Sequence, residues 1–215
     1  LTPPGRSGPP RRRATRDAVR RELLVFVEGE ETEERYLTDW AQRCRRRTLV
    51  TIDRFHGRPL QLVEEAVARR RAGAREARRA QGRPYDEIWC VFDVDDHPNF
   101  AQAVDLARRN GVGVAVSNPC IELWFILHFE DQTAFINRTD AQRRAADLLG
   151  CGKALTAVAL DVLAAHCDYA IARARGLDGK HAGDGSPPGA NPSSGVYQLI
   201  EVIREGDAAR GDRHA

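Results

Sequence analysis

Two stretches decide how this chain is read: Leu23-Leu24-Val25-Phe26-Val27-Glu28-Gly29-Glu30 and Ile88-Trp89-Cys90-Val91-Phe92-Asp93-Val94-Asp95-Asp96. Each is an apolar run that stops at carboxylates. Runs without polar alternation belong to strands buried on both faces, the pattern of a parallel sheet covered by helices. Ligands of such sheets gather beyond the carboxyl ends of the strands. Acidic side chains converging there repel one another unless positive charge lies between them, and a hard divalent cation, Mg2+ first, answers that need. The pattern points to metal-dependent phosphate chemistry.

The flanking sequence fits the same sheet. Gly29 permits a sharp exit from the first strand, Thr32 is placed to cap a helix, and Glu33 and Glu34 fall in its first turn, where the helix dipole favours acids. Tyr36, Leu37, Trp40 and Ala41 then recur at helical spacing. A second strand is expected at 49–52, a helix opened by Pro59 runs to about 80, and a third strand covers 87–93. A helix at 98–110 and a strand at 112–116 follow. This alternation implies an α/β core, a parallel sheet of about four strands joined by right-handed crossovers and covered by helices. Beyond residue 129 the pattern is helical, at 139–149, 153–175 and 196–204. The division is a disordered basic tail (1–21), an α/β core (22–130), a helical C-terminal extension (131–205) with a flexible Gly/Pro/Ser-rich loop (176–194), and a second disordered tail (206–215).

Composition narrows the class more than it names a partner. The chain of 215 residues is 42% hydrophobic, enough for a core, and its 30% charged residues nearly cancel at a net +2. Arginines cluster at 11–21, 43–47 and 69–79, as solvated faces or as a discontinuous grip on nucleic-acid phosphates. Five cysteines, odd in number and without a CxxC pair, argue against a disulfide framework or a zinc site. No apolar run approaches the roughly 20 residues that span a bilayer. There is no signal-peptide core and no GxxxxGK[ST] loop. The expectation is a cytoplasmic protein without membrane contact and without a P-loop.

Asp93 and Asp95 lie two apart, on one side of a strand, and Asp96 follows at the turn. Such a DxD either shares a cation and its waters or simply enters a turn. Glu28 at the same sheet edge strengthens the first reading, with Glu30 and Glu31 crowding the loop. A third element is Ser117-Asn118-Pro119-Cys120-Ile121-Glu122-Leu123-Trp124. Asn118 is placed to cap a buried helix and Pro119 to open it. Glu122, one turn in, faces the same rim or is held by the helix dipole alone. His128, two turns from the cap, suits a core hydrogen bond. Lys153, Lys180-His181 and Asn191-Pro192-Ser193-Ser194 are candidates for contacting phosphate or for structural roles.

At these residues the chain resembles the RloB-like proteins, a family named for association with restriction loci and including the second component of the AbiL abortive-infection system. The likeness spans about 23–204 and rests on Val27-Glu28-Gly29-Glu30-Glu31-Thr32-Glu33, Phe92-Asp93-Val94-Asp95-Asp96, the Ser117–Trp124 run with His128-Phe129, and Asn191-Pro192-Ser193. The family often carries Lys where this chain has Glu31. The resemblance implies a divergent TOPRIM fold, the catalytic domain of topoisomerases, primases and OLD-type nucleases. It implies that Glu28, Asp93 and Asp95 hold Mg2+ (or Mn2+), with Glu28 also suited to proton transfer. Glu30, Asp96, Glu122, His128 and Lys153 would be accessory. The implied function is a nuclease acting on DNA or RNA in antiphage defence, with a partner ATPase of the AAA/ABC type. Two other readings stand beside it. One is a non-catalytic regulatory or toxin subunit whose acidic rim, poor in arginine, binds a partner; the other is a metal-dependent phosphotransferase acting on a nucleotide.

Overall fold

The first apolar run alternates its side chains between two covered faces. The computed structural model, which describes residues 20–94 and 98–205, places that run in strand β1 (Arg21–Val27). Leu23, Val25 and Val27 enter one apolar cluster, Leu24 and Phe26 the other. Strand β3 (Glu87–Asp93) divides in the same way, Trp89 and Val91 against Ile88, Cys90 and Phe92. β1 and β3 are parallel neighbours, with β2 (Thr48–Ile52) outside β1 and β4 (Gly113–Asn118) outside β3. The expected parallel sheet is therefore present. A two-residue strand β5 (Ser193–Ser194) adds to it, antiparallel to β4, and completes the order β2-β1-β3-β4-β5.

Helix α1 (Thr32–Cys44) buries Tyr36, Leu37 and Trp40 on one face of the sheet. Helices α2 (Pro59–Arg78) and α3 (Phe100–Arg109) cover the other with Leu62, Val63, Ala66, Val67, Ala103 and Ala107. The chain leaves β1 for β2 on one side and returns to β3 on the other, so the winding reverses between β1 and β3. At such a switch point a crevice opens beyond the strand ends.

The α1 face is completed by α4 (Ile121–Ile126), α5 (Arg138–Leu149), α6 (Ala157–Ala165), α7 (Cys167–Asp184) and α8 (Val196–Glu205). Trp124, Ala145, Leu163, Ala174 and Leu199 share one cluster with β1 and β3. The C-terminal helices are thus a layer of the core. Within it, the single helix expected at 153–175 is broken at His166 between α6 and α7. The flexible loop expected at 176–194 is largely structured: α7 runs on to Asp184 and the segment ends in β5. Ala170, Ile171, Ala174, Leu177 and His181 are buried along one stripe of α7. That burial outweighs Gly176, Gly179 and Gly183, each unfavourable by only about 1 kcal/mol in a helix.

Two expected caps also differ. Glu31, not Thr32, is the N-cap of α1, and the Thr32 hydroxyl donates instead to the Lys153 carbonyl (3.1 Å). Helix α4 starts at Ile121 with Cys120 as its N-cap, so Asn118 and Pro119 lie outside the helix. The tails expected at the two ends lie, for residues 1–19 and 206–215, outside the described residues. Among the described residues no helix is long and apolar enough to cross a membrane.

Candidate functional site

The crevice at the switch point collects acids from the ends of two neighbouring strands and from the helix that follows β4. Glu28 is the first residue beyond β1; its N–H donates to the Val91 carbonyl (3.0 Å), and its carboxylate accepts the Asp93 N–H (3.2 Å). Asp93 ends β3, and the ladder continues past it through the Val94 N–H to the Ser117 carbonyl (2.8 Å). Glu122 enters from behind β4 as the second residue of α4, a helix buried along its whole length. Trp124 in that helix is anchored by its indole N–H, which donates to the Tyr36 hydroxyl (2.7 Å).

A fourth acid, Glu33, comes from α1 and is buried. It occupies the same helical stripe as Tyr36, Leu37 and Trp40, and is turned inward with them. Its carboxylate lies over Gly29, where any Cβ would overlap it. A side chain at position 29 of the Glu28-Gly29-Glu30 turn would therefore displace the Glu33 carboxylate.

These groups line a cleft of about 400 Å3 in which, among the described residues, Glu28, Glu30, Glu31, Glu33, Asp93 and Glu122 face only Arg138 and Lys153 as cations. The imbalance shows in the acidities. Burial, then the charge of Glu33, pushes Asp93 well above the usual carboxylate range, and the Arg138 guanidinium at 3.4 Å offsets this only in part. Burial likewise raises Glu33, with Glu122 and Glu28 adding to the effect. In a crevice of low polarity, ionised acids without matched cations are disfavoured, so both groups are held toward the protonated form.

Arg138 is the residue that the sequence pattern passed over. It is the first residue of α5, whose N-cap Asn137 accepts the Asp140 N–H (2.9 Å). An arginine at a helix N-terminus opposes the helix dipole, and that conflict was the available signal. Its location is braced from a distance. The Asn191 side chain accepts the Ile136 N–H (3.0 Å) and donates to the Ile136 carbonyl (2.8 Å), and the His181 ring bonds to the Pro192 carbonyl (2.9 Å). The Asn191-Pro192-Ser193 run thus shapes the cleft without lining it. The rim expected to be poor in arginine has one beside Asp93.

Other sequence candidates separate clearly. Glu30 and Lys153 line the cleft. Lys180 pairs with Asp184 on the surface (3.0 Å), and His181 is buried. His128 is not part of the cleft: it is 2% exposed, bonded through Nδ1 to the Trp124 carbonyl (2.8 Å), and burial lowers its pKa to about 4. Asp95 and Asp96 lie outside the described residues. Among the described residues, no group of three or more His, Cys, Asp or Glu side chains is placed to hold a metal ion.

Residues 23–203 match the family model for RloB-like proteins. The chain belongs to the RloB-like family. No curated protein and no solved structure matches it. The RloB-like match runs from the first apolar strand into α8, so it takes in every wall of the acidic cleft.

Proposed function

We propose that this RloB-like protein is a Mg2+-dependent nuclease hydrolysing phosphodiester bonds of DNA or RNA. The observation that carries this reading is the delivery of Glu28 and Asp93 from adjacent strands, and of Glu122 from helix α4, into one cleft. Burial and mutual repulsion there push both Asp93 and Glu33 upward from their ordinary acidities. The donor set fits a hard cation: every acidic group is an oxygen ligand, and added positive charge would relieve their repulsion. Glu28 and Asp93, with Asp95 following on the chain, would hold Mg2+ or Mn2+, whose chemistry there is to polarise a phosphoryl oxygen and stabilise the charge that develops on it.

The protein's own groups account for the remaining work. Arg138 and Lys153, at the borders of the cleft, bind backbone phosphate oxygens without reading bases. Glu33, held toward its protonated form beside Glu28, exchanges a proton with the attacking water or the leaving oxygen. Glu122 keeps the inner wall acidic behind Asp93. Membership of the RloB-like family supports a role in antiphage defence beside an AAA/ABC-type ATPase, which cells carrying Asp93→Asn with the partner intact would test by loss of protection.

The direct test incubates the purified protein with plasmid DNA and with total RNA, in chelator, Mg2+ or Mn2+, beside Asp93→Asn. Cleavage that needs the metal and vanishes in the variant is expected. Cleavage unchanged by chelator or by Asp93→Asn would overturn the proposal.

A further inference from the structure

A second hollow opens off the acidic cleft. It has a volume of about 130 Å3 and shares Thr32, Glu122, Gln142 and Lys153 with the cleft. Beyond that border its walls change character. Phe125, Leu149 and Leu155 form an apolar lining, and the space exists because Ala145 and Ala146 of α5 are small. Phosphodiester hydrolysis has no use for an apolar hollow, and water inside one finds few hydrogen-bond partners.

We propose that this hollow receives one nucleobase, a pyrimidine, of the nucleotide whose phosphate lies in the acidic cleft. The inference rests on the nuclease reading and adds a substrate class to it. Size carries the choice of base. An apolar cavity of about 150 Å3 takes a single benzene ring, so the hollow suits one six-membered ring, and the second ring of a purine would remain outside. The polar edge of a pyrimidine would meet Gln142 at the border, whose amide makes no hydrogen bond to the described residues. Lys153, on the same border, is placed for the phosphate attached to that nucleotide. A base reaches such a hollow only when it is out of the stack, so the substrate strand is unpaired or locally opened there.

Cys151 supplies a readout independent of cleavage. Its thiol is free and partly exposed in the wall of the hollow, whereas Cys44, equally free and partly exposed, lies outside it. The full-length protein is alkylated with N-ethylmaleimide in the presence of CMP, UMP, AMP, GMP or ribose 5-phosphate, and labelling is followed at both cysteines. CMP and UMP are expected to slow labelling of Cys151 with half-protection at about tenfold lower concentration than AMP or GMP, because a base seated in the hollow contributes at least that factor in affinity and a purine's second ring stays outside. Ribose 5-phosphate should have no effect, and Cys44 should label at an unchanged rate. Ala146→Leu, at a half-buried position, fills the hollow and should abolish the protection, with its circular dichroism spectrum and melting temperature reporting that the fold is kept. In parallel, single-stranded oligonucleotides with one pyrimidine in a purine run are expected to be cut at that nucleotide about tenfold faster than elsewhere. Ala146→Leu should lose this preference.

Protection by ribose 5-phosphate equal to that by CMP, or protection by none of the nucleotides, overturns the base subsite. Cleavage with no base preference, unchanged in Ala146→Leu, also overturns it and leaves the nuclease reading standing. Pyrimidine protection lost in Ala146→Leu, without cleavage of any polymer, supports the subsite and removes the nuclease reading, identifying a free nucleotide as the ligand.

Discussion

The outer surface of the helical layer and the acidic cleft use the same residue types to opposite ends. On the outer surface Arg173 meets Asp131 (2.9 Å), Arg175 meets Glu201 (2.6 Å), Arg204 meets Asp168 (2.6 Å), and Arg144 meets Glu130. The Arg144 hydrogen bond holds Glu130 below its ordinary range. Among the described residues of the cleft six carboxylates share two cations, and Asp93 and Glu33 are raised. Surface pairs of the first kind contribute little because water already solvates both partners. A buried excess of one sign opposes folding, and chains keep such an arrangement where a ligand of the other sign relieves it. The contrast locates function more firmly than any single motif.

The largest break in that contrast comes from removing a cleft carboxylate while keeping its shape. Glu28→Gln and Asp93→Asn are each expected to lower metal-dependent cleavage by about a hundredfold or more, measured as single-turnover rates on the preferred substrate. Retention of wild-type rates by both would assign the acids a structural role.

A second effect, on stability, comes from the buried His128. Its folded pKa, about 4, lies below the ordinary 6.5. Between those values the unfolded chain binds the extra proton, so stability is full above about pH 6.5 and falls as the pH drops toward 4. The loss amounts to roughly 3 kcal/mol. Urea denaturation between pH 4 and 7 should show this fall, and His128→Asn should flatten it. An equal slope in the variant would place the titration elsewhere.

A smaller and local change is Gly29→Ala. The added methyl displaces the Glu33 carboxylate rather than the backbone. Cleavage should drop about tenfold, with stability altered by less than about 1 kcal/mol. A large loss of stability would mean that Gly29 serves the turn itself. Smallest of all is Glu201→Gln on the helical surface, expected to cost less than about 1 kcal/mol and to leave cleavage untouched; chemical denaturation and the same rate assay check both halves.

Much of the sheet was legible because buried parallel strands are written as continuous apolar runs. The third strand was expected at 87–93 and is observed at Glu87–Asp93. The positions of Glu28 and Asp93 at its edge followed from the same runs. What escaped was written in weaker signals. Gly and Pro between 176 and 194 suggested a loop, whereas the buried stripe ending in Leu177 and His181 carried the helix onward. Glu33 was readable as a first-turn acid matched to the dipole, yet its spacing to Tyr36, Leu37 and Trp40 already placed it on the buried face. Arg138 could not be assigned to the cleft from spacing, since Asn191, more than fifty positions away, holds the chain that presents it.

Metal-dependent cleavage requires the cleft's carboxylates to form a divalent-cation site. The measurement that tests it most directly is the melting temperature of wild type and Asp93→Asn across a Mg2+ titration at neutral pH. Wild type should gain stability with Mg2+ as binding to the folded state requires. Asp93→Asn, relieved of a buried charge, should start higher and respond weakly or not at all. Equal responses of the two proteins, or a wild type indifferent to Mg2+ and Mn2+ alike, would contradict the claim.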